Sequence, residues 1–180
     1  MSSSSVIAVI DYGMGNLHSV AKALEHVAPL AQVRLTQRAT DLAAADRVVF
    51  PGQGAIGHCM QELARLDLVE AVRRAAREKP FLGMCLGPQA LMTHSEENGG
   101  TAALDVFAGE VRRFPDGLRD ANGARLKIPH MGWSRVRQTR AHPLWDGIET
   151  DARFYFVHSY YLDPADPTLV AGATDYGLTF

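Results

Sequence analysis

The feature that most constrains the fold is a cysteine between two glycines, in the stretch Pro80-Phe81-Leu82-Gly83-Met84-Cys85-Leu86-Gly87-Pro88-Gln89. An apolar run leads into this Gly-x-Cys-x-Gly pattern and a helix-compatible segment follows it, which is typical of a nucleophile elbow. Strand and helix approach closely at such a turn, so the residues two positions either side of the nucleophile need almost no side chain. The pattern therefore predicts a strand, a tight turn carrying the Cys85 thiol, and a helix.

The predicted position of Cys85 favours nucleophilic chemistry. A thiol at a helix N-terminus meets free N–H groups and the positive end of the helix dipole, which favour the thiolate. The N–H of Leu86 is then placed to stabilise an oxyanion. The alternative is a small buried cysteine in a glycine-containing turn, and the two flanking glycines favour the nucleophile.

The first half of the chain reads as alternating strands and helices. Val6–Ile10 is a continuous apolar, β-branched run, typical of a central strand in a parallel sheet. An amphipathic pattern from Leu17 to Val27 predicts a helix. Two more strands are predicted at Ala31–Leu35 and Asp46–Phe50, so the order indicates an α/β sheet with right-handed crossovers.

Glycines follow two of these strands. Pro51-Gly52-Gln53-Gly54 comes directly after the third strand, where glycine lets the backbone approach a ligand at the carboxyl edge of a parallel sheet. Its backbone N–H groups are candidates to complete an oxyanion hole with Leu86, and the alternative is an ordinary turn. Gly13-x-Gly15 after the first strand lacks the third glycine of the dinucleotide-binding pattern, which disfavours phosphate binding.

The remaining predicted elements are less regular in pattern. They are a helix over Leu63–Arg77, a helix over Gln89–Met92, a flexible loop over His94–Gly100, a turn over Pro129–Ser134, and strands over Val106–Arg113, Leu126–Pro129, Phe154–Tyr161 and Thr168–Ala173.

Composition limits the class of protein. The chain has 180 residues, 47% of them hydrophobic, which predicts a single domain over 6–180 after a disordered tail at 1–5. With 18 basic and 20 acidic residues and no basic block, neither nucleic acid nor a membrane surface is an expected partner. Cys59 and Cys85 form no disulfide framework or metal-binding spacing, and no signal or membrane-spanning run is seen, so we expect a soluble cytoplasmic protein.

A catalytic cysteine normally needs a histidine base, and the sequence does not identify one among its seven histidines. His130 lies in a predicted turn. His158 lies in an aromatic strand, where a packed, hydrogen-bonded role is the favoured interpretation.

Six segments together carry a family resemblance. The elbow marks the wider class I glutamine amidotransferases, and the His-Met-Gly-Trp and Tyr-Phe-Val-His stretches narrow the resemblance to the glutamine amidotransferase subunit of imidazole glycerol phosphate synthase, in histidine biosynthesis. The segments are Asp11–Asn16, Pro51–Ala55, Gly83–Gln89, Ser95–Glu97, His130–Trp133 and Tyr155–Tyr160.

The resemblance implies a fold and an activity. The expected fold is a three-layer, open, mostly parallel α/β sheet with helices on both faces, flavodoxin-like. The expected activity is hydrolysis of L-glutamine to glutamate and ammonia through a Cys85 thioester, with no metal or organic cofactor. Ammonia would pass to a (β/α)8 barrel cyclase, which makes imidazole glycerol phosphate and aminoimidazole carboxamide ribotide.

The resemblance also implies roles for individual residues. These are oxyanion binding by Gly52, Gln53 and Leu86, glutamine binding by Gln89, Glu97, Ser159 and Tyr160, and docking of the cyclase by Asn16, Trp133 and Tyr155.

Three departures qualify the resemblance. Its members take their catalytic histidine and glutamate from a segment that would lie beyond Phe180. The domain at 6–180 is therefore expected to be C-terminally incomplete, and the chain as written is expected to be inactive. The alternative function is a catalytically incomplete binding subunit that docks the cyclase without making ammonia.

The other two departures are single residues. Pro88 is tolerable at the first helical position, and Gln53 stands where a small apolar residue is frequent. A general cysteine hydrolase is disfavoured, because Leu86 follows Cys85 where many of those enzymes have histidine.

Overall fold

The structure is a computed structural model that describes residues 4–180 and divides into two compact units, one ending at Phe107 and one covering Ala108–Phe180. The single domain over 6–180 stays a prediction. Positions 1–3 of the predicted tail lie outside the described residues. Ser5 already makes ordered contacts, because its carbonyl accepts from the Gln32 N–H at 2.8 Å and its hydroxyl from Arg47 at 2.6 Å.

The elements of the first unit are β1 Val6–Ile10, α1 Leu17–Val27, β2 Gln32–Thr36, α2 Ala39–Ala44, β3 Arg47–Phe50, α3 Ile56–Arg65, α4 Val69–Glu78, β4 Phe81–Gly83, α5 Leu86–Ala90, β5 Met92–Ser95 and β6 Thr101–Ala102. They include a four-stranded parallel sheet in the order β2-β1-β3-β4, which confirms the predicted α/β class. A short antiparallel pair, β5 and β6, follows it.

Both faces of this sheet are covered by helices, as expected for three layers. Successive side chains of a strand point to opposite faces. Ile7 and Val9 accordingly pack towards α1, whereas Ala8 and Ile10 join the larger core on the other face. That larger core takes buried side chains from α2, α3, α4 and α5, namely Leu42, Ile56, Cys59, Leu63, Val72, Ala75, Leu86 and Ala90.

The predicted continuous helix over Leu63–Arg77 is wrong, because α3 ends in a Schellman motif. Asp67 takes φ +54°, the Leu68 N–H donates to the Leu63 carbonyl at 2.9 Å, and the Asp67 N–H donates to Ala64 at 3.1 Å. These bonds close the helix end and let α4 start in a new direction.

Other local predictions for the first unit also fail. The helix α2 was not predicted. The helix at the elbow occupies 86–90, and Met92–Ser95 forms a strand where a helix and then a loop were expected.

The second unit is antiparallel. Its strands are β7 Phe107–Arg113, β8 His130–Gln138, β9 Ala152–His158, β10 Tyr160–Pro164 and β11 Gly172–Ala173. β8 pairs with β9 over seven residues, β11 adds to β8, and β10 pairs with β7. Between Ser4 and Phe180, no helix is both long and apolar enough to cross a bilayer.

Three predictions in this unit are wrong. The expected turn at Pro129–Ser134 is mostly strand, because pairing with β9 outweighs the local signal of Pro129 and Gly132. The expected strand at Leu126–Pro129 is irregular. Within Thr168–Ala173 only Gly172 and Ala173 are strand, since Pro167–Leu169 forms a 3₁₀ turn.

Candidate active site

The candidate site is built at the carboxyl edge of the parallel sheet, where the loops after β1 and β3 meet. A Cβ at Gly15 would lie 3.7 Å from the Gly52 Cα, and a Cβ at Gly54 would lie 2.7 Å from the Met14 Cε. The close approach leaves little room for side chains. The glycine-containing loops that the sequence predicts at this edge therefore lie in contact with each other.

Cys85 lies exposed at the predicted elbow, between β4 and α5. Its φ of +56° and ψ of −102° are strained for a residue with a side chain, at a cost on the order of 1–3 kcal/mol. Two hydrogen bonds hold the turn: the Met84 N–H donates to the Phe50 carbonyl and the Gly87 N–H donates to the Met84 carbonyl, each at 3.0 Å. The strand–turn–helix arrangement around Cys85 is confirmed.

The flanking glycines are required sterically, as the sequence predicts. A Cβ at Gly83 would lie 2.8 Å from the Pro88 nitrogen and 2.9 Å from its Cδ. A Cβ at Gly87 would overlap the carbonyl oxygen of Phe50. Strand β3 therefore shapes the elbow directly, since its last residue both accepts the turn's hydrogen bond and excludes any larger residue at 87.

The predicted oxyanion residues lie on facing segments. A Cβ at Gly52 would lie 2.9 Å from the Leu86 Cβ, so the Gly52 backbone packs against the residue after Cys85. Gln53 follows and is exposed. Their role in binding an oxyanion stays a prediction, and the proximity of Gly52 to Leu86 supports it.

The predicted glutamine ligands in this unit are Gln89 and Glu97. Gln89 is half-buried, one helical turn after Cys85. Glu97 accepts a hydrogen bond at 2.7 Å from the N–H of Ile56, the first residue of α3. Sequence reasoning missed this contact, which links Glu97 to the end of the loop that carries Gly52 and Gln53.

In the second unit, the backbone carbonyls of Ser159 and Tyr160 accept hydrogen bonds. The Ser159 carbonyl accepts from the Phe114 N–H at 3.0 Å, and the Tyr160 carbonyl accepts from His158 Nδ1 at 2.8 Å. Their assignment to glutamine binding stays a prediction.

His158 and His130 form a hydrogen-bonded chain that sequence reasoning missed. A carbonyl can only accept, so His158 carries its proton on Nδ1 and its Nε2 accepts from His130 Nδ1, at 3.0 Å. His130 Nε2 is then free of a proton and accepts from the Ser134 hydroxyl at 2.9 Å. This assignment of donors and acceptors describes the two rings in their neutral forms.

Burial explains why this pair stays neutral. It lowers the pKa of His130 to about 4, and the coulombic repulsion that would arise between the two rings if both were protonated is a further cause. Burial lowers the pKa of His158 as well, opposed by its bond to the Tyr160 carbonyl. The prediction that His158 is packed and hydrogen-bonded is confirmed, whereas His130 is a buried strand residue and not part of a turn.

The predicted docking residues lie on exposed parts of their units. Trp133 and Tyr155 are directly opposite each other on β8 and β9, 66% and 55% exposed, with ring centroids 5.4 Å apart. The neighbouring pair Met131 and Val157 is exposed too, and we call these four residues the apolar ladder. Asn16 caps α1, its Oδ1 accepting from the Ser19 N–H at 3.2 Å.

Comparison with known proteins identifies relatives. The model of the family "Glutamine amidotransferase class-I" matches residues 8–177. The imidazole glycerol phosphate synthase subunit HisH of Methylococcus capsulatus is 58% identical over 177 residues, 98% of this chain and 82% of that protein. The subunit of the same name from Aromatoleum aromaticum is 56% identical, over 98% of this chain and 83% of that protein.

Solved structures share the fold at lower identity. The crystal structure of a glutamine amidotransferase has a TM-score of 0.62 at 16% identity, covering 88% of this chain and 74% of that one. A glutamine amidotransferase from Thermotoga maritima has a TM-score of 0.53 at 17% identity, covering 89% and 63%. Together with the elbow geometry, the sequence matches lead to one conclusion: the chain belongs to the class-I glutamine amidotransferases and, within them, to the HisH subunits of imidazole glycerol phosphate synthase.

Proposed function

We propose that this chain hydrolyses L-glutamine to glutamate and ammonia through a thioester on Cys85. The thiolate attacks the carbonyl carbon of the side-chain amide, and the resulting oxyanion is held by the N–H of Leu86 and the backbone of Gly52 and Gln53. The proton given up by the thiol passes to the amide nitrogen, the C–N bond breaks and ammonia leaves. Water then hydrolyses the thioester, which frees glutamate and regenerates the thiol. The strained Cys85, exposed between glycines that admit no side chain, is the observation that carries this proposal.

Glutamine binding is assigned to Gln89 and Glu97, for the α-carboxylate and the α-amino group. Glu97 supplies a negative charge within the unit that holds the elbow, and its bond to the Ile56 N–H fixes one carboxylate oxygen. The assignment of backbone at Ser159 and Tyr160 rests on the family resemblance alone.

The partner in this proposal is the (β/α)8 barrel cyclase of imidazole glycerol phosphate synthase, which consumes the ammonia. The apolar ladder supports docking, since exposed aromatic residues in a contiguous patch are typical of protein interfaces. In the alternative function the same surface binds the cyclase while the chain makes no ammonia.

The test measures glutamate release with glutamine, the cyclase and its nucleotide substrate present, for this chain and its Cys85→Ala variant. We expect release that disappears in the variant, together with a covalent adduct on Cys85 from an electrophilic glutamine analogue. Equal release by both proteins would contradict the mechanism. The docking alternative would be supported if neither protein released glutamate and if the chain bound the cyclase but its Trp133→Ala variant did not.

A further inference from the structure

Glu97 makes a contact that glutamine binding does not require. Its Oε2 accepts a hydrogen bond at 2.7 Å from the N–H of Ile56, 41 positions away in sequence. Ile56 is the first residue of α3 and directly follows the segment Pro51–Ala55, which carries the predicted oxyanion groups and which we call the oxyanion loop. The contact therefore joins a predicted glutamine ligand to the end of the oxyanion loop.

Helix α3 lacks a cap from its own sequence. The first N–H groups of a helix have no carbonyl partner within it and are usually satisfied by a side chain close by. Asn16 does this for α1, and α2 and α4 carry Asp41 and Glu70 in their first turns. In α3, all of whose residues the structure describes, the residue before the helix is Ala55 and the first turn holds no acidic residue. The carboxylate of Glu97 takes the place of a local cap.

The backbone of Glu97 is held by the two strands on either side of it. Glu97 lies in the turn that joins β5 to β6, where Ser95 and Thr101 are directly paired. Its N–H donates to the hydroxyl of the buried Ser95 at 3.3 Å, and its carbonyl accepts from the Thr101 hydroxyl at 3.4 Å. Thr101 also lies against the first turn of α3, since a Cβ at Gly57 would be 3.6 Å from its Oγ1. The carboxylate is therefore presented to α3 from a supported position.

The oxyanion loop is short, and both of its ends are fixed. It has five residues, and it runs from Phe50 at the end of β3 to Ile56. Gly52 packs against Leu86, and Gln53 is three residues before Ile56, at most about 11 Å along an extended chain. An oxyanion is stabilised by donors about 2.7–3.1 Å away, so small shifts of the loop have large effects. Fixing Ile56 therefore limits the positions that the Gln53 backbone can take.

One carboxylate is able to hold the loop and a substrate together. A carboxylate has two oxygens that each accept more than one hydrogen bond. Oε2 of Glu97 binds the Ile56 N–H, and the side chain is half-buried, so its exposed part is open to the ammonium group of a bound glutamine. The bond to Ile56 therefore does not compete with the role in glutamine binding assigned above.

We propose that Glu97 is a positioning residue for the oxyanion loop. Its carboxylate fixes the N–H of Ile56 and thereby holds the backbone of Gly52 and Gln53 in place beside Leu86. This inference deepens the proposed function and rests on it for its catalytic consequence, whereas the order of the loop is measurable without turnover.

The experiment separates the charge of Glu97 from its hydrogen bond to Ile56. Glu97→Gln removes the charge but keeps an oxygen that accepts from the Ile56 N–H, whereas Glu97→Ala removes both. The matched control is Asp46→Ala in the same unit, because Asp46 Oδ2 also accepts from a distant backbone N–H, that of Val6, at 2.7 Å. The measurements are kcat and KM for glutamine with the cyclase and its nucleotide substrate present, and ¹⁵N order parameters of the amides at 52–56 in the chain alone.

We expect both Glu97 variants to raise KM about tenfold, because the charge-assisted bond to the ammonium group is lost. Only Glu97→Ala should lower kcat as well, by about tenfold, and reduce the order parameters at 53–56 to below about 0.6. In Glu97→Gln, kcat and the order parameters should stay within twofold and within error, respectively, of those of the intact chain. Asp46→Ala should lower the melting temperature and leave kcat, KM and the loop unchanged.

Three results overturn the inference. They are equal kcat values for Glu97→Gln and Glu97→Ala, an ordered oxyanion loop in Glu97→Ala, and a Glu97→Ala chain that does not fold while Asp46→Ala does, since the bond would then serve the fold and not the site. If the intact chain releases no glutamate, the proposed function fails, and the order parameters alone decide whether Glu97 holds the loop.

Discussion

His130 makes stability depend on pH in the range between the ordinary pKa of histidine and the lowered pKa of this ring. The ring is 1% exposed, stacked on Tyr176 at a centroid distance of 3.8 Å and on Phe156 at 5.0 Å. Its pKa in the folded chain is lowered to about 4, against about 6.5 in an unfolded chain. Between these values the unfolded state binds a proton that the folded state does not, so the free energy of unfolding decreases as pH falls.

The size of this effect follows from the shift. At about 1.4 kcal/mol per pH unit, the lowered pKa corresponds to at most about 3 kcal/mol, of which about 2 kcal/mol would be lost between pH 7 and pH 5. Hydrogen-bonded carboxylates act at lower pH. The pKa of Asp41, for example, is lowered from 3.8 chiefly by its bond to Thr36, so its contribution is lost only as pH falls below that value.

Urea unfolding at pH 7, 6 and 5 measures the effect in the intact chain, a His130→Gln variant and a His26→Gln control. Glutamine offers an N–H group for His158 and an oxygen for Ser134, but it does not titrate. His26 is exposed on α1. We expect the control to lose the same stability as the intact chain and His130→Gln to lose clearly less, with His158 causing the remaining slope. Equal losses in all three proteins would refute the reasoning.

Two further substitutions test the packing of the first unit. Gly87→Ala should destabilise the chain by about 1–3 kcal/mol in urea unfolding, because the new Cβ would overlap the Phe50 carbonyl. The control is Gly57→Ala within α3, whose new Cβ would meet only the Thr101 hydroxyl, at 3.6 Å, so it should be neutral or stabilising. Equal effects of the two would contradict the steric account of the elbow. Lys79→Met should lower the free energy of unfolding by about 1–2 kcal/mol, because the Lys79 Nζ donates to the carbonyls of Leu42, Ala43 and Ala45 at 2.9, 2.5 and 2.6 Å. An unchanged midpoint of urea unfolding would show that water replaces these bonds.

The parts of the fold that could be predicted depend on local sequence patterns. Val6–Ile10 is apolar on every residue because both faces of β1 are covered, and that run alone identifies a central strand. Only glycine fits sterically at positions 83 and 87, so the elbow can be predicted from these two residues without any knowledge of the rest of the chain.

The missed features depend on contacts between distant parts of the chain. The end of α3 at Asp67 uses a non-glycine residue in the left-handed conformation, which a composition pattern does not reveal. Strand β8 looks like a turn because of Pro129 and Gly132, and only its partner β9 makes it a strand. The bond from Ile56 to Glu97 and the pairing of His130 with His158 likewise join residues far apart in sequence, so spacing gives no signal for them.

The motif that identifies the nucleophile is local, but the forces that hold its geometry are not. The strain at Cys85 persists because Phe50, at the end of β3, accepts the Met84 N–H and blocks any side chain at Gly87. Phe50 is in turn packed against Tyr12, which also supports the Gly52 backbone. Positions 12 and 50 lack the pattern of a catalytic motif, yet both shape the surroundings of the thiol. Substitutions that alter the reactivity of Cys85 should therefore be found at the ends of β1 and β3 as well as in the elbow itself.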